Sequence, residues 1–386
     1  MSTLPSITHL IVRLDTGGAE TSLLRLIAGT RTRLAHHVIC FGPPSPLGRK
    51  IENLGVKVSW LDYRRSGPLV LWQALRLLRQ QPPDILQGWM YYGNVLASLL
   101  GWWTKRTTSA QPKVAWNVRN AILEPAKDNW MIRGALMCAR LCSPDLVIYN
   151  SFAGQQAHSA MRKQPRQLVI PNGIDLNEYA PDENVRKAVR ARYQTGCEIW
   201  AGVVSRFHEG KGINEYLQAV KLLKSREVPV RLFLAGNGMT LENPELATLL
   251  SKLALAPDAL ELLGPIENVA GFLPAVDLLI QPSLREGTPN ILLEAMACGV
   301  NTVATAAGDT ARIVQDPTRL ATPGNIEELA EKIANAIGES EDTRAARVQR
   351  ERAFLTAQYS ASRCMQSYLA AYAAIIGVKE QELMQP

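Results

Sequence analysis

The feature that most limits the fold is a series of short apolar runs, nearly unbroken rather than alternating, separated along the whole chain by helix-like segments. In the first half the runs fall at residues 8–14, 37–41, 56–60, 85–89, 114–118 and 146–149. In the second they fall at 200–205, 230–235, 259–263, 278–281 and 302–305. Strands that read this way are buried on both faces, as in parallel sheets covered by helices. Helical patterns lie between them at 19–28, 69–79, 153–161, 213–223 and 289–297. Strand–helix alternation of this kind, occurring twice, predicts an α/β protein of two doubly wound, Rossmann-like domains. The boundary is expected at 168–175, where LVIPNGID ends a short strand in a Pro-Asn-Gly turn. The domains are therefore placed at 1–170 and 171–359. A helical tail follows at 360–386, with Tyr368, Leu369 and Tyr372 on one side.

Composition narrows the class. With 47% hydrophobic and 20% charged residues, the chain has the balance of a soluble globular protein. No apolar run reaches the roughly 20 residues that span a bilayer, and the N-terminal MSTLPSITHL lacks the layout of a signal peptide. The six cysteines contain no Cys-x-x-Cys and are expected to be reduced and buried. The net charge of +7 is unevenly spread. Residues 1–170 hold 21 Lys+Arg against 8 Asp+Glu, and the remainder holds 21 against 27. The first half is thus expected to meet something anionic: nucleic acid, lipid headgroups or a phosphorylated substrate. No nucleic-acid-binding module is recognisable. Trp89, Tyr91, Tyr92, Trp102 and Trp103 stand near Lys105 and Arg106, a mixture that suits either a membrane interface or packing at a helix end.

Between Arg285 and Gly299 the chain reads REGTPNILLEAMACG. Thr288 is expected to cap a helix, with Pro289 at its first position and Gly299 closing it. The first-turn amides, at Asn290 and Ile291, would then face an anion. Glu286 would lie in the loop and Glu294 more than one turn inside the helix. That layout suits a sugar nucleotide, with Glu286 for sugar hydroxyls, the amides for a diphosphate and Glu294 for ribose hydroxyls. A second element, SRFHEGKG (205–212), follows an apolar run and so belongs at the carboxyl end of a parallel sheet. Its Arg206 and Lys211 can hold a diphosphate and stabilise it as a leaving group.

Two glycine elements are weaker. Gly17 and Gly18 follow the first strand in TGGAETS, and Gly236 begins a GNG turn that would let a nucleotide approach the backbone. The LGPI that follows residue 262 ends at Ile266 and can line a base pocket through backbone groups. There is no Asp-x-Asp, Walker loop or Gly-x-Ser-x-Gly, so neither a metal ion nor a cofactor is expected. His9, His36, His37, His158 and His208 are read as core or surface residues.

Taken together, GGAE (17–20), PNGID (171–175), SRFHEGKG (205–212) and EGTPNILLE (286–294) resemble the retaining glycosyltransferases of family four, which have the GT-B fold. The resemblance runs through nearly the whole chain, and Glu-x7-Glu with the downstream AMACG carries most of its specificity. It implies two Rossmann-like domains facing across a cleft, with the C-terminal helix crossing back to the first. Arg206 and Lys211 match the pair that binds the donor diphosphate. Glu286 matches the carboxylate facing the donor sugar, Gly287, Thr288, Pro289 and Asn290 the backbone contacting sugar and phosphate, and Glu294 the ribose carboxylate. Gly17 and Gly18 match the loop that closes on the donor. Glu286, Arg206 and Lys211 are the implied catalytic set. Many members with a similar Trp-Asn-x-Arg-Asn segment build bacterial surface polysaccharides on polyprenyl diphosphate carriers. One departure concerns a histidine that many members place beside the acceptor. The corresponding stretch is VAWNVRN (114–120), where Asn117, Arg119 or Asn120 takes that place. In the front-face mechanism proposed for this family the leaving phosphate accepts the acceptor's proton, so no side-chain base is required. The expectation is a retaining, metal-independent transferase moving sugar from a nucleotide-diphosphate donor, uridine-linked, to an anionic lipid-linked saccharide. It would act in the cytoplasm, peripherally at the inner face of the membrane. A sugar-nucleotide epimerase and a non-catalytic sugar-nucleotide binder are the alternatives.

Overall fold

The computed structural model describes residues 4–384 except 16, 120–133, 135–136, 138–142, 159–165, 195–198 and 256–258. The chain folds as two compact units, Met1–Asn172 with Ser362–Pro386, and Gly173–Ala361.

The first unit is built on seven strands: β1 (Ser6–Ile11), β2 (Ala35–Cys40), β3 (Lys57–Trp60), β4 (Ile85–Trp89), β5 (Lys113–Val118), β6 (Leu146–Tyr149) and β7 (Gln167–Val169). Every pairing is parallel, in the order β3-β2-β1-β4-β5-β6-β7. Helices Leu69–Gln80 and Met90–Thr107 cover one face. Gly18–Thr30, Pro46–Asn53 and Ala361–Ile376 cover the other. The near-continuous apolar strands are explained by this double covering. The tail helix is bound into the first unit by its tyrosines. Tyr372 donates to the Gln87 Oε1, and Tyr368 accepts from the Asn117 Nδ2 at 2.8 Å, both far inside the unit.

The second unit holds β8 (Ile199–Val204), β9 (Val230–Ala235), β10 (Glu261–Gly264), β11 (Leu278–Gln281), β12 (Asn301–Thr305) and β13 (Leu320–Ala321). They are again parallel, in the order β10-β9-β8-β11-β12-β13. Strand order reverses between β1 and β4 in one unit and between β8 and β11 in the other. In open sheets of this kind the crevice at the carboxyl ends of those two strands is where ligands sit. Beyond the elements named from the sequence, the structure has the edge strand β13 and the helices Pro46–Asn53, Met90–Thr107, Glu183–Tyr193, Pro244–Leu253, Ile326–Ile337 and Glu341–Tyr359. The helix expected at 153–161 is described as Phe152–Ala157, and the residues from 159 on lie outside the described ones.

Candidate active site

The loops after β8 and β11 meet at the reversal point of the second sheet. They border a cleft of about 400 Å³ lined by Arg206, Lys211, Gln281, Ser283, Glu286 and the segment 288–291. Glycines allow this convergence. Gly236 has φ +129°, and a Cβ there would collide with the Ser205 carbonyl. Phe207 N–H donates to the Asn237 carbonyl at 2.8 Å. The GNG turn therefore supports the Arg206 loop, and the group close to Gly236 is protein backbone. Gly212 has φ +66° and lies against the Pro282 carbonyl, where no side chain fits.

Glu286 is the hub. Its Oε1 accepts from Lys211 Nζ at 2.5 Å, Gln281 Nε2 at 2.9 Å and Ser283 Oγ at 2.8 Å. Its side chain is 10% exposed and that of Lys211 27%. The three donors share one oxygen, leaving Oε2 to accept from a ligand hydroxyl. Lys211 has two further N–H bonds to give. Arg206 is exposed, and its guanidinium has no hydrogen-bond partner among the described residues. Behind the loop, Gly308 (φ +58°) packs on the Glu286 carbonyl, and Asp309 N–H donates to the Gly287 carbonyl at 3.0 Å. Gln281, Ser283 and Gly308 were missed from the sequence. The available signal was polar residues ending an apolar run, at the sheet edge where ligands bind.

The helix after Glu286 spans Asn290–Ala297, and its N-cap is Pro289, without a side-chain cap bond. The expected cap by Thr288, with Pro289 at the first helical position, is corrected by one residue. The first carbonyl to accept from the helix is that of Pro289, from Leu292 N–H at 3.2 Å, and Pro289 has extended ψ (99°). The first turn still borders the cleft through Asn290 and Ile291. Asn290, Ile291 and Glu294 form the half-exposed stripe of an otherwise buried helix. Gly299, at φ +75°, closes the helix as expected. Two arginines, one buried and one half-buried, grip that end. Arg347 donates to the carbonyls of Gly299 and Val300, and Arg352 to those of Ala297, Leu176 and Tyr179. Positive charge there reinforces the dipole whose other end faces the cleft. Ile266 packs against the core of the unit and is not among the cleft-lining residues.

In the first unit, Gly17 is the N-cap of Gly18–Thr30, in extended conformation, with the Glu20 carboxylate folded against it. Burial pushes the Glu20 carboxyl up. Gly18 opens onto free space. Asn117 is wholly buried, and its amide is spent on Tyr368 and its backbone on Asn94. It frames the unit rather than facing a ligand. Arg119 donates to Ser22 Oγ at 2.7 Å and to the Asn172 Oδ1, and lies 5.7 Å from the Trp89 ring centroid. Asn120 is outside the described residues. Below Trp89 runs a directional chain. Its indole N–H donates to His9 Nδ1 at 3.2 Å. His9 Nε2 must therefore carry the proton given to His36 Nδ1, at 3.0 Å. His36 Nε2 then donates to Thr30 Oγ1, at 3.0 Å, which in turn donates to the Leu26 carbonyl. Burial keeps these imidazoles neutral, lowering His36 to about 4 and His9 well below its ordinary value.

Residues 16–178 match the family model described as Glycosyltransferase Family 4, and residues 199–339 the model described as Glycosyl transferases group 1. EpsF of Bacillus subtilis, which carries a glycosyltransferase name, is 32% identical over 139 residues, 36% of this chain and 35% of EpsF. The GDP-mannose-dependent alpha-(1-6)-phosphatidylinositol monomannoside mannosyltransferase of Mycolicibacterium smegmatis is 30% identical over 155 residues, 38% of this chain and 40% of the relative. The chain thus spans about two fifths of the length of these curated relatives. The crystal structure of HepE from Anabaena in complex with UDP superposes with a TM-score of 0.81 at 21% identity, covering 96% of this chain and 100% of HepE. That likeness concerns the fold.

Proposed function

We propose that this chain, which belongs to the GT-B glycosyltransferase family, transfers a sugar with retention from a UDP-linked donor to a lipid-diphosphate-linked saccharide in surface polysaccharide synthesis. The observation that carries the reading is the Lys211–Glu286 pair at 2.5 Å beside a helix N-terminus. The second unit holds the donor. Glu286 Oε2 takes a sugar hydroxyl. Arg206, the free protons of Lys211 and the first-turn amides of Asn290–Ala297 take the diphosphate, and Glu294 takes the ribose. As the glycosidic bond breaks, negative charge grows on the departing phosphate, where these fixed donors stabilise it. That phosphate oxygen then accepts the proton of the attacking hydroxyl on the same face, which retains the anomeric configuration without a side-chain base.

The basic first unit takes the anionic acceptor, with Arg119 on that side, and the protein works at the cytoplasmic membrane face. UDP is supported by the HepE complex, and a lipid-borne acceptor by the mannosyltransferase relative. The test is UDP release from a panel of UDP-sugars, with and without a lipid-diphosphate saccharide, and the anomeric proton of the product by NMR. Acceptor-dependent release with a retained anomer is expected. Sugar interconversion without acceptor would point to an epimerase, and binding without turnover to a non-catalytic binder; an inverted product would overturn the mechanism.

A further inference from the structure

Arg352 is a charge held without a counter-ion. It lies half-buried on the helix Glu341–Tyr359. Among the described residues no carboxylate pairs with its guanidinium, and all of its bonds go to backbone carbonyls. Those of Leu176 and Tyr179 are both 3.2 Å away, and the third belongs to Ala297. Ala297 is the last residue of the helix Asn290–Ala297, whose first turn borders the cleft through Asn290 and Ile291. Arg347 reaches the same helix end but is matched by acids, with Glu339 and Glu351 each 2.8 Å from it. A half-buried cation is ordinarily matched in that way, because its lost hydration is otherwise not offset. The carbonyls at a helix C-terminus carry only about half a negative charge between them, so a net positive charge remains at Arg352.

We infer that Arg352 is a positioning residue for the donor: its unmatched charge, applied at the C-terminal end of Asn290–Ala297, sets the affinity of the cleft at the other end for a diphosphate. Two effects act in the same direction. The helix has eight residues, so its two ends are about 12 Å apart, and attraction through packed protein is screened less than through water. The same charge opposes the negative pole of the peptide dipoles and leaves the positive pole facing the cleft. The bonds to Leu176 and Tyr179 admit a plainer role, in which the guanidinium only staples that stretch to the helix. The stretch is already fastened beside it, since Ile174 N–H donates to the Tyr359 carbonyl and Ala361 N–H to the Ile174 carbonyl, both at 2.8 Å. A neutral amide could also staple carbonyls without burying a charge. Arg352 acts from outside the cleft, and its role rests on the reading of that cleft as a diphosphate site.

The test is calorimetric titration of UDP and of uridine into the full chain, Arg352→Gln and Arg352→Lys, with a melting curve for each. Arg352→Gln should raise the Kd for UDP about fivefold, equivalent to about 1 kcal/mol, and leave that for uridine unchanged. Lysine keeps the charge but not the planar fork, so Arg352→Lys should bind UDP within about twofold of the wild type. Thr356 is exposed one turn further along the helix. Thr356→Glu therefore sets a carboxylate beside Arg352 without disturbing the packing, and it should weaken UDP binding where Thr356→Gln does not. That second pair decides the matter if Arg352→Gln does not fold. Four results would overturn the inference: an unchanged Kd for UDP in folded Arg352→Gln, equal weakening of UDP and uridine, Thr356→Glu no weaker than Thr356→Gln, or Arg352→Lys no better than Arg352→Gln. The last would make the residue a staple. A wild type that binds UDP no more tightly than uridine removes the diphosphate reading and this role together. A wild type that prefers UDP, with variants that match it, removes this role alone.

Discussion

Replacing Lys211 by methionine removes a charge while keeping most of the stem, and two roles predict different consequences. Its ammonium is 2.5 Å from Glu286 Oε1, on side chains 27% and 10% exposed, so water screens the pair weakly. If pairing with Glu286 were its only role, the loss would be that of a charged hydrogen bond, about 1.5–3 kcal/mol. Gln281 and Ser283 would remain on the carboxylate. If the remaining N–H groups also hold the leaving diphosphate, turnover should fall by about 10²–10³, the size seen when one preorganised donor to a developing anion is removed. The Glu286→Gln background separates the two. There the ion pair is already gone, so a purely structural Lys211 would cost nothing more. The reading of Lys211 as a phosphate ligand predicts that Lys211→Met/Glu286→Gln releases UDP from donor at least about tenfold more slowly than Glu286→Gln alone, because the two effects are partly independent. The assay is steady-state UDP release at saturating acceptor, with a melting curve for each variant. A double variant no slower than Glu286→Gln would refute the reasoning.

Further outcomes follow from other parts of the structure. Glu294→Ala should raise the Kd for UDP about tenfold or more, as loss of a charged hydrogen bond to ribose would, and should leave the Kd for inorganic pyrophosphate unchanged; calorimetry reads both. Gly236→Ala should cost about 1–3 kcal/mol of stability, because φ +129° and the Ser205 carbonyl leave no room for a Cβ, and chemical denaturation measures it. His36 and His37 are both lowered from 6.5 to about 4, mainly by burial and for His37 also by Lys57. A base whose value is depressed by folding prefers to be neutral in the native state. Its contribution is therefore complete above the unfolded value of 6.5 and is lost as pH falls towards 4. Between pH 7 and pH 5 each should lose about 2 kcal/mol. Buried His9 and His158, also lowered, add to the decline, so His37→Asn should remove only its own share, about 2 kcal/mol, and a denaturation midpoint unchanged over the interval would contradict the assignment.

The sheet was legible because its signal is burial on both faces. The apolar runs at 85–89, 146–149, 230–235 and 278–281 coincide with β4, β6, β9 and β11. The two-residue edge strand β13 offers no such run. Helix Glu341–Tyr359 escaped for a different reason. One of its buried side chains is Arg347, only 1% exposed and paired with Glu339 and Glu351, so hydrophobic periodicity does not mark its inner side. At the site, the Glu-x7-Glu spacing, the helix between the two carboxylates and the Arg206/Lys211 loop could be read directly. Which groups hold Glu286 could not. Gln281 and Ser283 reach it from the end of a strand, and Gly308 supports its backbone from a turn more than twenty residues later. Such contacts depend on the order of strands, which periodicity does not give. The reading of Gly236 changed for the same reason, since the backbone it admits belongs to the neighbouring strand's loop.

The central claim is that the loop after β8 and the helix after β11 grip a diphosphate. Its most direct test is calorimetric titration of UDP and of uridine into the wild type and Arg206→Ala. The account predicts that UDP binds the variant at least about tenfold more weakly while uridine is unaffected. Equal weakening of both ligands, or of neither, would contradict it.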